Sequence, residues 1–323
     1  MPFIENTSFK PHLLLRNKHV NTLYRYFLSK VKIDFIRQRM STKDHDFIDL
    51  DVSSVNSKKV VIAIHGLEGS SDSNYIHSIT EVLNTNNYDV IAYNMRGCSG
   101  EANKLLSSYH SGKISDLIEV IDFIKANYKY QQIHIIGYSL SGNMTLKYMG
   151  EYADTIPNIV KSAIAISAPC DLKGSSNAIS ARENKIYMNG FLKTLKVKAL
   201  EKIERFPDAG LDKQKIIFAT NFSEFDSAFT APTHGFIDAD DYWKQSSANQ
   251  FLKFITKPTL LISSKDDPFL SNTCLPINQS KNHPFFTFLQ TNYGGHIGFT
   301  RGFFLKKERW LEYKILDFIK KNS

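Results

Sequence analysis

One recurring texture restricts the fold more than anything else in the chain. Six short, almost wholly apolar runs appear in turn: VVIAI (60–64), DVIAYNM (89–95), IHIIGY (133–138), SAIAIS (162–167), TLLIS (259–263) and FFTFL (285–289). They are rich in β-branched and aromatic residues and too short for independent helices, so they read as strands. A strand wetted on one side alternates apolar and polar residues; these runs do not, so both of their faces are covered. Helical patterns separate several of them, over 74–86, 112–128, 142–153 and 306–321. In the second, Ile114, Leu117, Ile118, Ile121, Phe123 and Ile124 give a broad apolar face. Buried strands alternating with amphipathic helices predict an α/β architecture, a mainly parallel sheet flanked by helices. Two earlier stretches, 31–40 and 46–53, do alternate, and predict an antiparallel pair with one wet face. Together they make an eight-stranded sheet within a single domain spanning 1–323.

One connection breaks the rhythm. About 90 residues lie between the run ending at Ser167 and the one starting at Thr259, far more than a crossover needs. Residues 173–250 are therefore expected to form an inserted cap over the carboxyl ends of the strands, where open α/β sheets place their ligands. The segment contains a basic amphipathic piece, FLKTLKVKALEKIERF (191–206). Its leucines are expected to pack on the domain rather than lie on a membrane surface.

Composition excludes several classes. VVIAI is the longest strictly aliphatic run and is far too short to span a bilayer. The first twenty residues hold no apolar stretch like the core of a signal peptide. The cysteines, Cys98, Cys170 and Cys274, are far apart and include no Cys-x-x-Cys pair, so neither a disulfide framework nor a zinc site is expected. A reducing, cytoplasmic setting fits. The formal charge of +8 is spread among mixed charges, as in KALEKIER and KKERWLEYK, and reads as a solvated surface. No nucleic-acid partner is expected.

The chemistry starts at IIGYSLSGN (135–143). Serine is a poor nucleophile at neutral pH. It needs a base, a group to orient that base, and donors for the developing oxyanion. Gly137-Tyr138-Ser139 ends an apolar run and opens a helical segment, the setting of a sharp turn that presents a serine. The neighbours two before and two after must be small; Gly137 meets the first demand, and Ser141 adds only a hydroxymethyl group. Ser139 is preferred as nucleophile over Ser141, which would lie inside the helix. Of the ten histidines, His296 stands apart in NYGGHIGF, a glycine-rich loop just after the last run. There it can reach over the sheet's carboxyl edge as the base. The acid lies in SSKDDPFL, where Asp267, before the proline, is preferred to Asp266. The chain order Ser139, Asp267, His296 is that of the α/β-hydrolases. HGLEGSSDS (65–73) follows the first buried run, and its turn can offer the backbone N–H of Leu67, with that of Leu140, as an oxyanion hole. His65 shapes that turn and is not counted as a base. No cofactor or metal is called for.

Beyond these four pieces the sequence resembles the YheT-like branch of the α/β-hydrolases, which includes the membrane-anchored abhydrolase-domain lipases of animals and the medium-chain ester synthase/esterases of yeast. HGLEGSSDSNYI (65–76), NMRGCSGEANKLLSSYHSG (94–112), GYSLSGNMTLKYMGE (137–151), FDSAFTAPTHGF (225–236) and GGHIGF (294–299) carry the resemblance, and HVNTLY (19–24) is similar to its amino-terminal block. The resemblance implies the α/β-hydrolase fold and a serine ester hydrolase acting on acyl esters of short or medium chain, lipid-derived esters among them. Any membrane contact would be transient and at the surface. Arg96 and His110 in these blocks are expected to brace loops. Two departures stand out: Ser141 occupies a position usually taken by glycine, and the animal members' amino-terminal anchor has no counterpart, which argues against bilayer-resident substrates. Two rival functions share these residues: an acyltransferase passing the acyl group to an alcohol, and a non-catalytic binding protein that keeps the fold. The intact Ser-Asp-His set argues against the second.

Overall fold

The computed structural model describes residues 3–28, 31–303 and 309–323. Its strands are β1 (Phe3–Asn6), β2 (Ile36–Ser41), β3 (Phe47–Ser53), β4 (Lys59–Ile64), β5 (Asp89–Asn94), β6 (Gln132–Tyr138), β7 (Val160–Ile166), β8 (Thr259–Ser264) and β9 (Phe286–Thr291). They form a single sheet in the order β1-β9-β8-β7-β6-β4-β5-β3-β2. The β2/β3 and β3/β5 pairs are antiparallel and all the others are parallel. The sheet thus has nine strands rather than eight. The extra one, β1, is four residues long, lies on the edge and is at best half-buried, so it leaves no periodic signal.

Helices of eight residues or more are α1 (Lys18–Leu28), α2 (Asn74–Thr85), α3 (Ser115–Asn127), α4 (Leu140–Glu151), α5 (Leu172–Ile179), α6 (Lys185–Arg205), α7 (Ala239–Ser246) and α8 (Trp310–Lys321). α4 starts two residues before the predicted 142 and α3 three after the predicted 112. The start predicted for the last helix, 306–308, lies outside the described residues. α8 is helical from Trp310.

Strand periodicity explains the layers. On β4, Val60, Ile62 and Ile64 point into a core shared with Leu117, Val120 and Ile121 of α3 and Met144 of α4. Their neighbours Val61 and Ala63 point the other way, onto Ile76, Ile79 and Leu83 of α2 and Ile315 and Leu316 of α8. Successive side chains of a strand face opposite sides, so both faces must be apolar, as the run VVIAI requires. The wet face of β2 carries Arg37 and Arg39, each forked onto its cross-strand partner on β3, Asp51 and Asp49.

Between β7 and β8 the described chain is helical or loop throughout, with no strand. This segment has its own small core, in which Ile179, Met188, Leu192, Ile216, Phe225 and Phe229 pack with Phe269 from the loop after β8. The amphipathic piece is the second half of α6. Leu192 and Ala199 are buried, while Val197 is exposed. Two of its lysines reach the body of the domain: Lys202 Nζ donates to the Asn103 carbonyl (3.0 Å) and side chain (2.8 Å), and Lys198 Nζ pairs with Glu68 Oε1 at 3.0 Å.

Candidate active site

The junction of β6 and α4 bends sharply at Ser139, whose backbone sits at φ 55°, ψ −118°. A residue with a β-carbon is strained there, and such strain persists only where the surroundings impose it. Two close approaches impose it here. A Cβ on Gly137 would lie 2.3 Å from the Ser141 carbonyl oxygen, and one on Gly142 would lie 2.9 Å from Ala168 Cβ. Position 141 tolerates a side chain because its hydroxyl is built into the strand ends. Ser141 is fully buried; its Oγ accepts the Tyr138 N–H at 2.8 Å and donates to the Ile64 carbonyl at 2.7 Å. Ser139, not Ser141, lines the adjoining cavity.

His296 meets that serine, its Nε2 lying 2.8 Å from Ser139 Oγ. Its Nδ1 lies 2.9 Å from Asp267 Oδ2 and 3.0 Å from Oδ1. Asp267 is buried and also accepts the Phe269 N–H at 2.9 Å. Asp266 turns elsewhere and accepts the Gly295 N–H at 2.9 Å, with burial pushing its carboxyl pKa up. The structure therefore brings together Ser139, Asp267 and His296 and leaves Asp266 in a loop-bracing role.

The turn after β4 closes on the same point. A Cβ on Gly66 would come within 3.2 Å of Ser139 Cβ, which shows how closely the turn passes. Leu67 and Leu140 both line the cavity, and neither backbone N–H has an acceptor among the described residues. Leu140 opens α4, so its amide has no intrahelical partner. His65 is held out of the chemistry. Its Nδ1 donates to the Gly66 carbonyl at 2.7 Å, its Nε2 accepts the Met95 N–H at 3.1 Å, and burial lowers its pKa to about 4. Two tyrosines the sequence reading passed over brace the turn. Tyr75 Oη accepts the Gly66 N–H (2.9 Å), and Tyr109 Oη accepts that of Glu68 (3.0 Å) while donating to its carboxylate (2.6 Å). Both lie far from the turn in sequence or across a loop, so nothing local marks them.

Arg96 braces as expected: buried, it forks onto Asp116 (2.7 and 2.8 Å) and reaches Asp44 at 2.7 Å. His110 Nδ1 accepts the Gly112 N–H at 3.2 Å, and its ring meets those of His234, Phe236 and Tyr242 edge-on. The cavity beside Ser139 holds about 350 Å³. Leu172, Ile179, Phe191, Phe222 and Phe229 from the β7–β8 segment form much of its apolar wall, with Glu68 and Lys198 among its charged groups. Among the described residues no cluster of His, Cys, Asp or Glu is arranged to hold a metal, and no helix is long and apolar enough to cross a membrane.

Comparison with known proteins agrees with this architecture. The family model described as the alpha/beta hydrolase fold matches residues 59–300. YheT of Escherichia coli (strain K12), described as a candidate esterase, is 32% identical over 98% of this chain and 94% of its own length. Phospholipase ABHD3 of Bos taurus is 26% identical over 92% of this chain and 74% of its own. Among solved structures, the Pyrococcus furiosus esterase Pf2001 matches with a TM-score of 0.60 at 17% identity, covering 89% of this chain and 91% of that one. At that identity the likeness speaks for the fold alone. With the family model covering most of the chain and YheT nearly all of it, the chain belongs to the α/β-hydrolase fold family, in its YheT-like branch of carboxylic ester hydrolases.

Proposed function

We propose that this ester hydrolase works by two-step acyl transfer on acyl esters of short or medium chain, with Ser139 as nucleophile. Neutral His296 takes the hydroxyl proton through Nε2 as Oγ attacks the ester carbonyl. Asp267, bonded at Nδ1, holds the ring in the tautomer that leaves Nε2 free to accept, and stabilises the imidazolium that forms. The Leu67 and Leu140 amides bind the oxyanion, and losing one such donor would cost about 2.7–4 kcal/mol of transition-state stabilisation. The imidazolium then protonates the departing alcohol. In the second step water, deprotonated by His296, attacks the acyl-enzyme, and the acid leaves as Ser139 regains its proton.

The observation that carries this reading is the unbroken hydrogen-bonded line Asp267–His296–Ser139, at 2.9 and 2.8 Å, ending at the cavity beside two unpaired amides. A short or medium chain is supported by volume and lining: about 350 Å³ with mostly apolar walls lies near the small end of ligand pockets. In this reading residues 173–250 act as a cap, because they supply nearly half of the residues that line the cavity beside the serine.

The test is a series of p-nitrophenyl esters of rising acyl length, assayed on the parent, Ser139→Ala and Ser141→Ala. Activity should peak at short or medium chains and vanish in Ser139→Ala. Full activity in a folded Ser139→Ala would overturn the mechanism, and a preference for long chains would overturn the substrate class.

A further inference from the structure

We infer that α1 belongs to the catalytic apparatus, and that Thr22 on it is a positioning residue holding His296 against Ser139. The inference rests on the reading of His296 as the base. Its starting point is the backbone of the loop that carries this histidine. Between Gly294 and Phe299, four residues have positive φ: Gly294 at 157°, Gly295 at 57°, Ile297 at 62° and Phe299 at 43°. For the glycines this is easy; for a β-branched and an aromatic residue it is a costly conformation. Something outside the loop must enforce it.

Ser167, whose Oγ accepts the Ile297 N–H at 3.1 Å, and Asp266, which accepts that of Gly295, hold part of the loop, and the amino-terminal helix holds the rest. Thr22 Oγ1 accepts the backbone N–H of His296 at 2.9 Å and donates to the Lys18 carbonyl at 2.8 Å, so the hydroxyl is fully engaged. Asn21, fully buried, bonds Thr300 twice: its Nδ2 donates to the carbonyl and its Oδ1 accepts the N–H, both at 3.1 Å. Arg25 donates to the Gly298 carbonyl at 3.3 Å and pairs with buried Glu312 of α8. Two glycines allow the approach. A Cβ on Gly295 would lie 2.5 Å from the Lys18 carbonyl and from Thr22 Oγ1, and one on Gly298 would lie 2.3 Å from Asn21 Oδ1.

The same helix also reaches the imidazole face. His19 Nδ1 is 3.2 Å from Tyr187 Oη on α6, with the rings stacked. Tyr187 meets Phe269 edge-on at 4.8 Å, and Phe269 lies 4.4 Å from the His296 ring. Lys18 pairs with Glu183 at 2.5 Å, just before α6. One helix therefore fixes the histidine's backbone directly and touches its ring through two aromatics. Residues 18–25 lie outside the 59–300 matched by the general family model.

Misplacing a reacting group by about 1 Å can cost a hundredfold in rate. The test compares Thr22→Val, which keeps the shape and removes the hydroxyl, with Thr22→Ser, which keeps the hydroxyl. Both are read by steady-state kinetics on a p-nitrophenyl ester beside the parent and His296→Ala. Thr22→Val should lose about ten- to a hundredfold in kcat with KM changed less than about twofold, and Thr22→Ser should recover to within about threefold of the parent. A folded Thr22→Val with parental kcat would overturn the inference, as would a Thr22→Ser as impaired as the valine variant. If Thr22→Val does not fold, Thr22→Ala is judged by the same criteria. Activity retained in His296→Ala would sink the underlying mechanism instead, which keeps the two failures apart.

Discussion

Removing a single oxygen from Ser141 should destabilise the fold by about 2 kcal/mol, since an unsatisfied buried donor typically costs about 1–3 kcal/mol. The hydroxyl is 0% exposed, so no water can replace it. It links the ends of two central strands, accepting the Tyr138 N–H at 2.8 Å and donating to the Ile64 carbonyl at 2.7 Å. In Ser141→Ala the amide keeps no such acceptor and carries most of the penalty. The carbonyl, with a second lone pair, loses less. The β-carbon stays, so the packing loss is one atom. With an unfolding entropy of about 2.1 cal/mol/K per residue, a 323-residue chain shifts by about 1.5 °C per kcal/mol, so the melting temperature should fall by about 3 °C in scanning calorimetry. Esterase activity should fall by less than about tenfold, because the hydroxyl faces the strand ends rather than the cavity. Ser141→Gly should be less stable still, by about 1 kcal/mol, because glycine disfavours a helix. A Ser141→Ala protein melting within about 1 °C of the parent would refute the reasoning and reduce the hydroxyl to a space-filler.

Three further expectations test other parts of the site. Ser139→Gly should be inactive yet more stable by about 1–3 kcal/mol in urea unfolding, because glycine adopts the φ of 55° without strain. Burial lifts the Asp226 carboxyl, bonded to Thr230 and Trp243, from 3.8 to about 6. The folded state then binds this proton more tightly than the unfolded one. Its contribution to stability is complete below about pH 4 and is lost as the pH rises through about 6. Asp226→Asn should flatten that decline in unfolding curves taken across the window. Lys198→Met breaks the 3.0 Å pair between α6 and Glu68, next to the Leu67 amide; kcat should drop about three- to tenfold in ester hydrolysis while the melting temperature barely moves.

Much of this was legible in the sequence because it is local. The apolar runs fix the strands, and a glycine two residues before a serine at a strand end marks the bend at Ser139. The loop residues Asp267 and His296 follow their strands by a few positions, so chain order is enough to expect them beside Ser139, where the structure has them. Asp266 and Asp267 differ only in which way the backbone points, and that is set by the Gly295 amide and the His296 ring across the loop. What sequence could not reveal is what acts at a distance. β1 pairs in parallel with β9 through only four residues, and Thr22 reaches His296 across 274 positions. Tyr109 looks like any half-buried tyrosine until the turn carrying Glu68 is folded against it. The role of the Ser141 hydroxyl was equally hidden, since its acceptor, the Ile64 carbonyl, is 77 positions away.

The pairing of β1 with β9 also has a bearing on how the protein is made. Phe3 pairs with Phe288, so nearly the whole chain must be synthesised before the first strand can dock. At ribosomal rates of about 5–20 residues per second, residues 3–25 wait roughly 15–60 s for their partners. The contacts between α1 and the loop carrying His296 can form only after residues 296–300 have been made. A nascent chain can complete β4 to β7 and the bend at Ser139 well before then. Under the proposed mechanism it would then hold Ser139 before His296 is available, and hydrolysis would begin only once the residues after β9 have folded.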